Sequence, residues 1–260
     1  MDATDLSAPD DPRRFGGISR LYGEAGRARL VAAHVCVVGI GGVGSWVAEG
    51  LARSGIGRLT LIDLDHVAES NVNRQIHALD GTFGLPKVEA MAERVRLVNP
   101  ACRVHTVEDF ISADNVATLL APPVGLVIDA IDDLRAKAAM AAWCRRQSLP
   151  LLVSGAAGGR IDPTRIQVAD LARVTGDPVC ARLRYELRKK YGFSRDPKAR
   201  FGIECVFSDE PVRKPQAGAA CESGAAPQGL ACAGYGSAMT VTASMGLVLV
   251  SRALLRLSAG

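Results

Sequence analysis

The sequence predicts an α/β protein: a mostly parallel β-sheet with helices on both faces, extended by further short strands and a C-terminal helix. Three observations carry this. Short apolar runs alternate with helix-like segments up to residue 154, the pattern of strands joined by helical crossovers. The first run enters the glycine-dense stretch Gly39-Ile40-Gly41-Gly42-Val43-Gly44-Ser45, and acidic residues close two later runs, at Asp63 and at Asp129 to Asp133.

Taken in order, residues 1–12 contain Asp2, Asp5, Asp10 and Asp11 and no apolar stretch, so they read as a loose tail rather than a secretory signal. Strand-like runs come next at His34–Val38, Leu59–Asp63, Arg103–Val107, Val124–Asp129 and Leu151–Ser154. Helix-like segments lie between them at Val43–Ser54, Lys87–Val98, Ala113–Leu120 and Leu134–Gln147. Strands spaced by helices pair in parallel and are covered on both faces. After Ile161-Asp162-Pro163 the pattern loosens. Arg165–Val168 and Cys205–Phe207 read as short strands, Pro178–Tyr191 as a charged helix, and residues 210–229, rich in Ala, Gly and Pro, as a mobile loop. The uncharged run Ala231–Ser251 is 21 residues long, just enough to cross a bilayer. Its Gly, Ser and Thr content points instead to a buried or dimer-interface helix ending at Arg252 and Arg256, with membrane contact as the alternative. Residues 13–257 are expected to form one domain without internal repeats.

A chain of 260 residues with 48% hydrophobic content can bury most of its unfolded surface around one core. Its net charge of +4 permits a polyanionic partner only through a local patch. The seven cysteines, an odd number without C-x-x-C spacing, argue against a disulfide framework and against zinc, so no zinc is expected and a reducing cytoplasm is the natural setting.

Gly39, Gly41 and Gly44 fit G-x-G-x-x-G, a turn that leaves backbone N–H groups where phosphate oxygens dock, and Asp63 falls where an acid binds ribose hydroxyls. With Gly42, these residues make a Rossmann-like nucleotide site. By itself this pattern favours NAD, but the residues beyond Asp63 change the ligand. Asp63-Leu64-Asp65 is succeeded by Asn71-Val72-Asn73-Arg74-Gln75 and then by Lys87. A nicotinamide site has little use for Arg74 and Lys87 beside the pyrophosphate. A site that adenylates a carboxylate needs both, because charge accumulates on the phosphoryl oxygens and on departing pyrophosphate. Asp129 ends the fourth strand-like run and Asp132 follows it, and Asp132 is the candidate ligand for the Mg²⁺ that bridges those phosphates.

The combination of G-x-G-G-x-G-S, D-x-D, N-x-N-R-Q, a following lysine and D-x-x-D resembles the ubiquitin-activating-enzyme-like (ThiF/MoeB-type) superfamily, whose members adenylate carboxylates with ATP. The resemblance covers Arg13 to about Leu257. Residues 14–23, Asn73 to Leu79, Gly158 to Pro163 and Cys232 to Gly236 are similar to the tRNA threonylcarbamoyladenosine dehydratase branch. That resemblance implies ATP-dependent closure of the threonyl carboxylate of threonylcarbamoyladenosine, next to the anticodon, into a cyclic hydantoin-type product. It also implies that Arg20 reaches the ATP site of a second copy, making a homodimer with composite sites, and that a sulfur-relay protein is a possible partner. Cys180 lies in the region where some carrier-activating relatives keep a reactive cysteine, Cys232 resembles a cysteine of the dehydratase branch, and both are candidate nucleophiles. The alternative is an adenylyltransferase acting on the C-terminus of a sulfur-carrier protein. It shares every ATP-site residue but usually holds the zinc cysteines this chain lacks.

Between Arg182 and Arg200 there are eight cations against two carboxylates, a local charge of +6, with Tyr185 and Tyr191 interleaved. Such a run is commonly a solvated helix face. With tRNA as substrate, Arg182, Arg184, Arg188, Lys189 and Lys190 become candidates for phosphate contacts and the tyrosines for base stacking. The four histidines read as structural, with His77 the one near enough to Arg74 to touch phosphate or substrate. Ser45 reads as a helix cap.

Overall fold

A computed structural model describes residues 11–121, 123–213 and 235–259. Seven strands form one sheet in the order β3-β2-β1-β4-β5-β7-β6. They are β1 (His34–Val38), β2 (Arg58–Ile62), β3 (Arg103–Val107), β4 (Leu126–Asp129), β5 (Leu151–Ser154), β6 (Ile166–Asp170) and β7 (Glu204–Ser208). All neighbours are parallel except β6, which runs antiparallel to β7 at the edge. This is the mostly parallel α/β sheet expected, with the first five strands shifted by no more than two residues at either end.

Successive strand residues point to opposite faces, and each face has its own core. Val35 and Val37 of β1 join Leu59, Leu61, Leu126, Ile128, Leu152 and Val206 on one side. Cys36 and Val38 join Val127, Leu151, Val153, Cys205 and Phe207 on the other. Helices α1 (Asp11–Ala32), α2 (Gly44–Arg53), α3 (Lys87–Val98) and α7 (Met239–Ala259) cover the first face. The short α4 (Val116–Leu119), α5 (Leu134–Arg146) and α6 (Pro178–Lys190) cover the second.

Helix α1 is a correction to the sequence reading, which places no element before β1 and counts residues 11 and 12 in the tail. It is kinked at Gly23, where φ is 72°. Arg14 Nη1 donates to Val98 O at 2.9 Å, the buried Arg27 Nη1 donates to Gly55 O at 2.8 Å, and Arg29 Nε donates to Ser258 O at 2.8 Å. Residues 1–10 and 214–229 lie outside the described residues. Glu210, the first residue of the expected mobile loop, is anchored: its Oε2 accepts from the N–H groups of Ile161 and Asp162 at 3.0 and 2.9 Å.

Helix α7 is long and apolar enough to cross a membrane, with half of its apolar stretch buried inside the protein. It packs on α2, α1 and the sheet. A Cβ on Gly246 would lie 2.8 Å from Val43 O, and one on Gly50 would lie 2.9 Å from Val250, so the two helices touch almost backbone to backbone.

Candidate nucleotide site

The site grows from the chain reversal after β1. Gly39 has φ of 87°, and a Cβ there would sit 2.9 Å from the Ala130 backbone. One on Gly44 would fall 1.7 Å from Gly39 O. Only glycine permits a turn this tight, and it delivers α2 with its N-terminus at the carboxyl end of the sheet. That helix has no side-chain cap and no acid in its first turn, so its orphan N–H groups and positive dipole end remain to meet an anion. Ser45 is not the cap expected of it: its Oγ is buried without a partner, and its N–H bonds Gly41 O at 3.0 Å. Around the missing Cβ of Gly41 there is open space, whereas a Cβ on Gly42 would lie 3.3 Å from the Arg74 stem and 3.3 Å from Thr242 at the start of α7.

Arg74 is thereby laid across the glycine turn, and its backbone and head are both fixed. Trp46 Nε1 donates to Arg74 O at 2.9 Å. Arg74 Nη1 donates to Ser70 O at 2.7 Å and to Asn73 Oδ1 at 2.9 Å. Asn73 Nδ2 in turn donates to Ser237 O at 2.8 Å, just ahead of α7. Asn73, expected to contact the cofactor, spends both ends of its amide tying Arg74 to α7. Asn71 is nearly buried, and its Oδ1 accepts from Ala68 N at 3.1 Å, shaping the turn that presents Arg74.

Asp63 closes β2 beside the same turn. Its Oδ2 accepts from Ile40 N at 2.6 Å and its Oδ1 from Asp65 N at 2.9 Å. Burial pushes this carboxyl above the usual range, against the pull of Lys87 and the two N–H groups. Lys87, at the start of α3, pairs with Asp65 Oδ2 at 2.7 Å; its side chain is 8% exposed while that of Asp65 is 73% exposed. The ammonium group is thus held in the wall of the crevice by a solvent-facing partner, which an incoming phosphate can displace. His77 lies below this wall, 1% exposed, with neither ring nitrogen partnered. Desolvation, aided by Lys87 and Arg94, holds it at about 4 and so neutral, and its burial removes it as a contact for phosphate.

Other candidates fall elsewhere. Asp129 does not face the crevice: it is fully buried and its Oδ1 pairs with the equally buried Lys137 Nζ at 2.8 Å, while that ammonium also donates to Ile131 O at 2.9 Å. Asp132 is exposed beyond β4, and the next residue, Asp133, caps α5 by accepting from Ala136 N at 2.6 Å. Among the described residues no three His, Cys, Asp or Glu side chains cluster to hold a metal. A divalent ion held at Asp132 would draw most of its ligands from phosphates and water, the usual manner of Mg²⁺. Cys180 is no reactive thiol. It is fully buried with its Sγ 3.3 Å from Cys205 Sγ, and that hydrogen bond together with desolvation drives its thiol far above the ordinary range. Cys232 lies outside the described residues.

Two of the five cations proposed for RNA are structural. Arg184 Nη1 donates to Leu171 O and Val174 O at 3.2 and 2.7 Å, and Arg188 Nε donates to Ser194 O at 3.1 Å. Lys190 pairs with Glu186 at 2.7 Å. Arg182 and Lys189 remain exposed on α6. Arg20 is exposed on α1, between the anchors at Arg14 and Arg27. The anchors reach the C-terminal end of α3 and the loop before β2, so this stretch of α1 is tied down where strands begin, whereas the glycine turn lies where they end.

Sequence reading missed Lys137, Trp46 and the start of α7. For Lys137 a signal existed: a lysine within the otherwise Ala-rich stretch Ala136 to Ala142 needs a buried partner. The remaining two reveal themselves only through contacts across the fold.

Residues 17–259 match the ThiF family. The chain is 52% identical over 252 residues, 95% of its length and 94% of the relative's, to the tRNA threonylcarbamoyladenosine dehydratase of Escherichia coli (strain K12). It is 49% identical over 243 residues, 93% of its length and 92% of the relative's, to that of Haemophilus influenzae. Its fold is similar to the crystal structure of the E. coli enzyme in complex with ATP, with a TM-score of 0.88 and 48% identity over 98% of each chain.

Proposed function

From the premise that the chain belongs to the ThiF family, we propose that it carries out the ATP-dependent dehydration of threonylcarbamoyladenosine next to the anticodon of tRNA, activating the threonyl carboxylate. The single observation that carries this reading is Arg74 fixed across the glycine turn with Lys87 in the adjoining wall. Two cations converge there on the place where the phosphates of a nucleotide at this turn must lie, and near-full-length similarity to named dehydratases supports the substrate.

In this reading Asp63 accepts hydrogen bonds from the ribose hydroxyls, and the N–H groups of the Gly41 turn receive phosphate oxygens. An oxygen of the threonyl carboxylate attacks the α-phosphorus and pyrophosphate departs with its charge offset by Arg74 and Lys87. The ureido nitrogen then attacks the acyl carbon, AMP leaves with that carboxylate oxygen, and the nitrogen's proton passes to solvent. The net loss from the nucleoside is one water. Ring closure within one molecule needs no enzyme nucleophile, because the reacting groups already have a high effective concentration. Mg²⁺, held by Asp132 and the phosphates, would supply further charge neutralisation. The setting is the cytoplasm.

The test is mass analysis of nucleosides from tRNA incubated with the protein and ATP. Loss of one water from threonylcarbamoyladenosine is expected; turnover that depends instead on a sulfur-carrier protein would overturn the reading.

The working unit is a homodimer. Arg20 lies on the stretch of α1 anchored where strands begin, whereas the glycine turn lies where they end, which supports its serving the crevice of a second copy. Arg20→Ala and Lys87→Ala are each expected to be inactive alone. Mixed after subunit exchange, they should recover about one quarter of wild-type turnover, the share of sites that draw both residues from intact copies. No recovery would place Arg20 outside the site.

A further inference from the structure

At the edge of the sheet away from the glycine turn, where β5 and β7 begin and β6 ends, two adjoining clefts of about 420 and 240 Å³ share Gly202 and Arg256. Arg200, Arg252 and Arg256 line the larger and Arg145 the smaller. The two carboxylates of the larger cleft are already engaged. Asp170 accepts from the N–H groups of Ala172, Phe201 and Gly202 at 2.9 to 3.0 Å. Glu204 receives Arg252 through two bonds of 2.7 and 3.2 Å. Arg200 and Arg256 are exposed at the rim, with no hydrogen bond or ion pair among the described residues.

Beneath the rim lies a stack of rings and cations. Arg145 stands 4.2 Å from the Phe193 ring centroid, Phe193 meets Phe201 edge-on at 4.8 Å, and Arg188 stands 5.6 Å from Phe201. This stack joins the cleft to the basic last turn of α6, with Arg188, Lys189 and Lys190.

We propose that this rim grips the sugar-phosphate backbone of the tRNA away from the reacting nucleotide, an inference that rests on the dehydratase reading. The arrangement favours a long polyanion over a small one. A single anion drawn inside would meet Asp170 and the Glu204–Arg252 pair, whose charges offset, whereas a strand lying across the mouth meets Arg200 and Arg256. A duplex carries one charge about every 1.7 Å of axis, so phosphates are available to both. Strands of five residues separate the two edges by only about 17 Å, a span that a tRNA held at the crevice readily covers.

The measurement is tRNA affinity against salt for the wild type, Arg200→Ala/Arg256→Ala and Arg200→Lys/Arg256→Lys. The alanine pair should bind about tenfold more weakly at moderate salt, with a log–log salt slope shallower by about 2. The lysine pair should keep the wild-type slope, and all three proteins should bind ATP equally. An alanine pair with unchanged affinity and slope overturns the cleft while wild-type water loss from the nucleoside leaves the dehydratase reading standing. Altered ATP affinity in the alanine pair overturns the cleft as well, by tracing the effect to the fold. A wild type that neither binds tRNA nor dehydrates it overturns both.

Discussion

Arg74→Ala is expected to lower ATP-dependent turnover by about 100- to 1,000-fold, the usual cost of deleting one preorganised group that meets developing charge. The side chain reaches this position at little cost to the phosphate turn, because its stem packs on Gly42 and its head is bound by Ser70 O and Asn73 Oδ1. On the proposed mechanism it therefore needs no reorganisation as charge develops on the departing phosphates. Thermal stability should barely move, since the deleted bonds are solvent-accessible. Arg74→Lys separates charge from geometry: it keeps the cation but loses the fork that Ser70 and Asn73 hold, and an intermediate rate is the expected result. Wild-type turnover in the alanine variant, read by nucleoside mass with saturating ATP, would remove Arg74 from the chemistry.

The largest effect on stability is expected at Lys137. Lys137→Met leaves the Asp129 carboxylate fully buried without its cation, a change that typically costs about 3–5 kcal/mol, a large part of the stability of an ordinary domain. Burial already pushes the Asp129 carboxyl up, with Lys137 opposing it; without the lysine it rises further. A carboxyl raised in the folded state contributes stability that is full below its unfolded value, about 3.9, and is lost as pH climbs through the folded value. The deficit of Lys137→Met should therefore be widest at neutral pH and narrow on acidification. The double variant Asp129→Asn/Lys137→Met should regain much of the loss, because no unpaired charge remains. Denaturant midpoints measured at two pH values check both statements, and a deficit that does not change with pH would contradict them.

Those two positions also mark how far the sequence could be read. Lys87, Asp63 and the glycine turn were legible because each is set by its own strand end and a few neighbours. The nearness of Arg74 to the glycine turn was legible, but not the way it is held, since Trp46 lies 28 residues from it and Ser237 lies 164 residues from the Asn73 it binds. Asp129 was misread for the same reason: a carboxylate at a strand end looks alike whether it faces a crevice or a buried ammonium eight positions on. Helix α1 was missed because Gly16, Gly17 and Gly23 interrupt it, although Phe15, Ile18, Tyr22 and Leu30 keep a helical spacing and pack toward the core. The neighbours of Cys180 in the chain do not reveal its burial or its contact with Cys205 of β7.

The seam between α2 and α7 has a consequence for synthesis. The glycine turn, Asp63 and Lys87 all leave the ribosome well before the final helix, yet Thr242 borders Gly42 and Ser237 secures Asn73. A nascent chain paused ahead of residue 235 carries every charged residue of the crevice with its α2 flank bare. The packing that holds Asn73, and through it Arg74, over the glycine turn is therefore complete only once the residues from 235 onward have joined the fold.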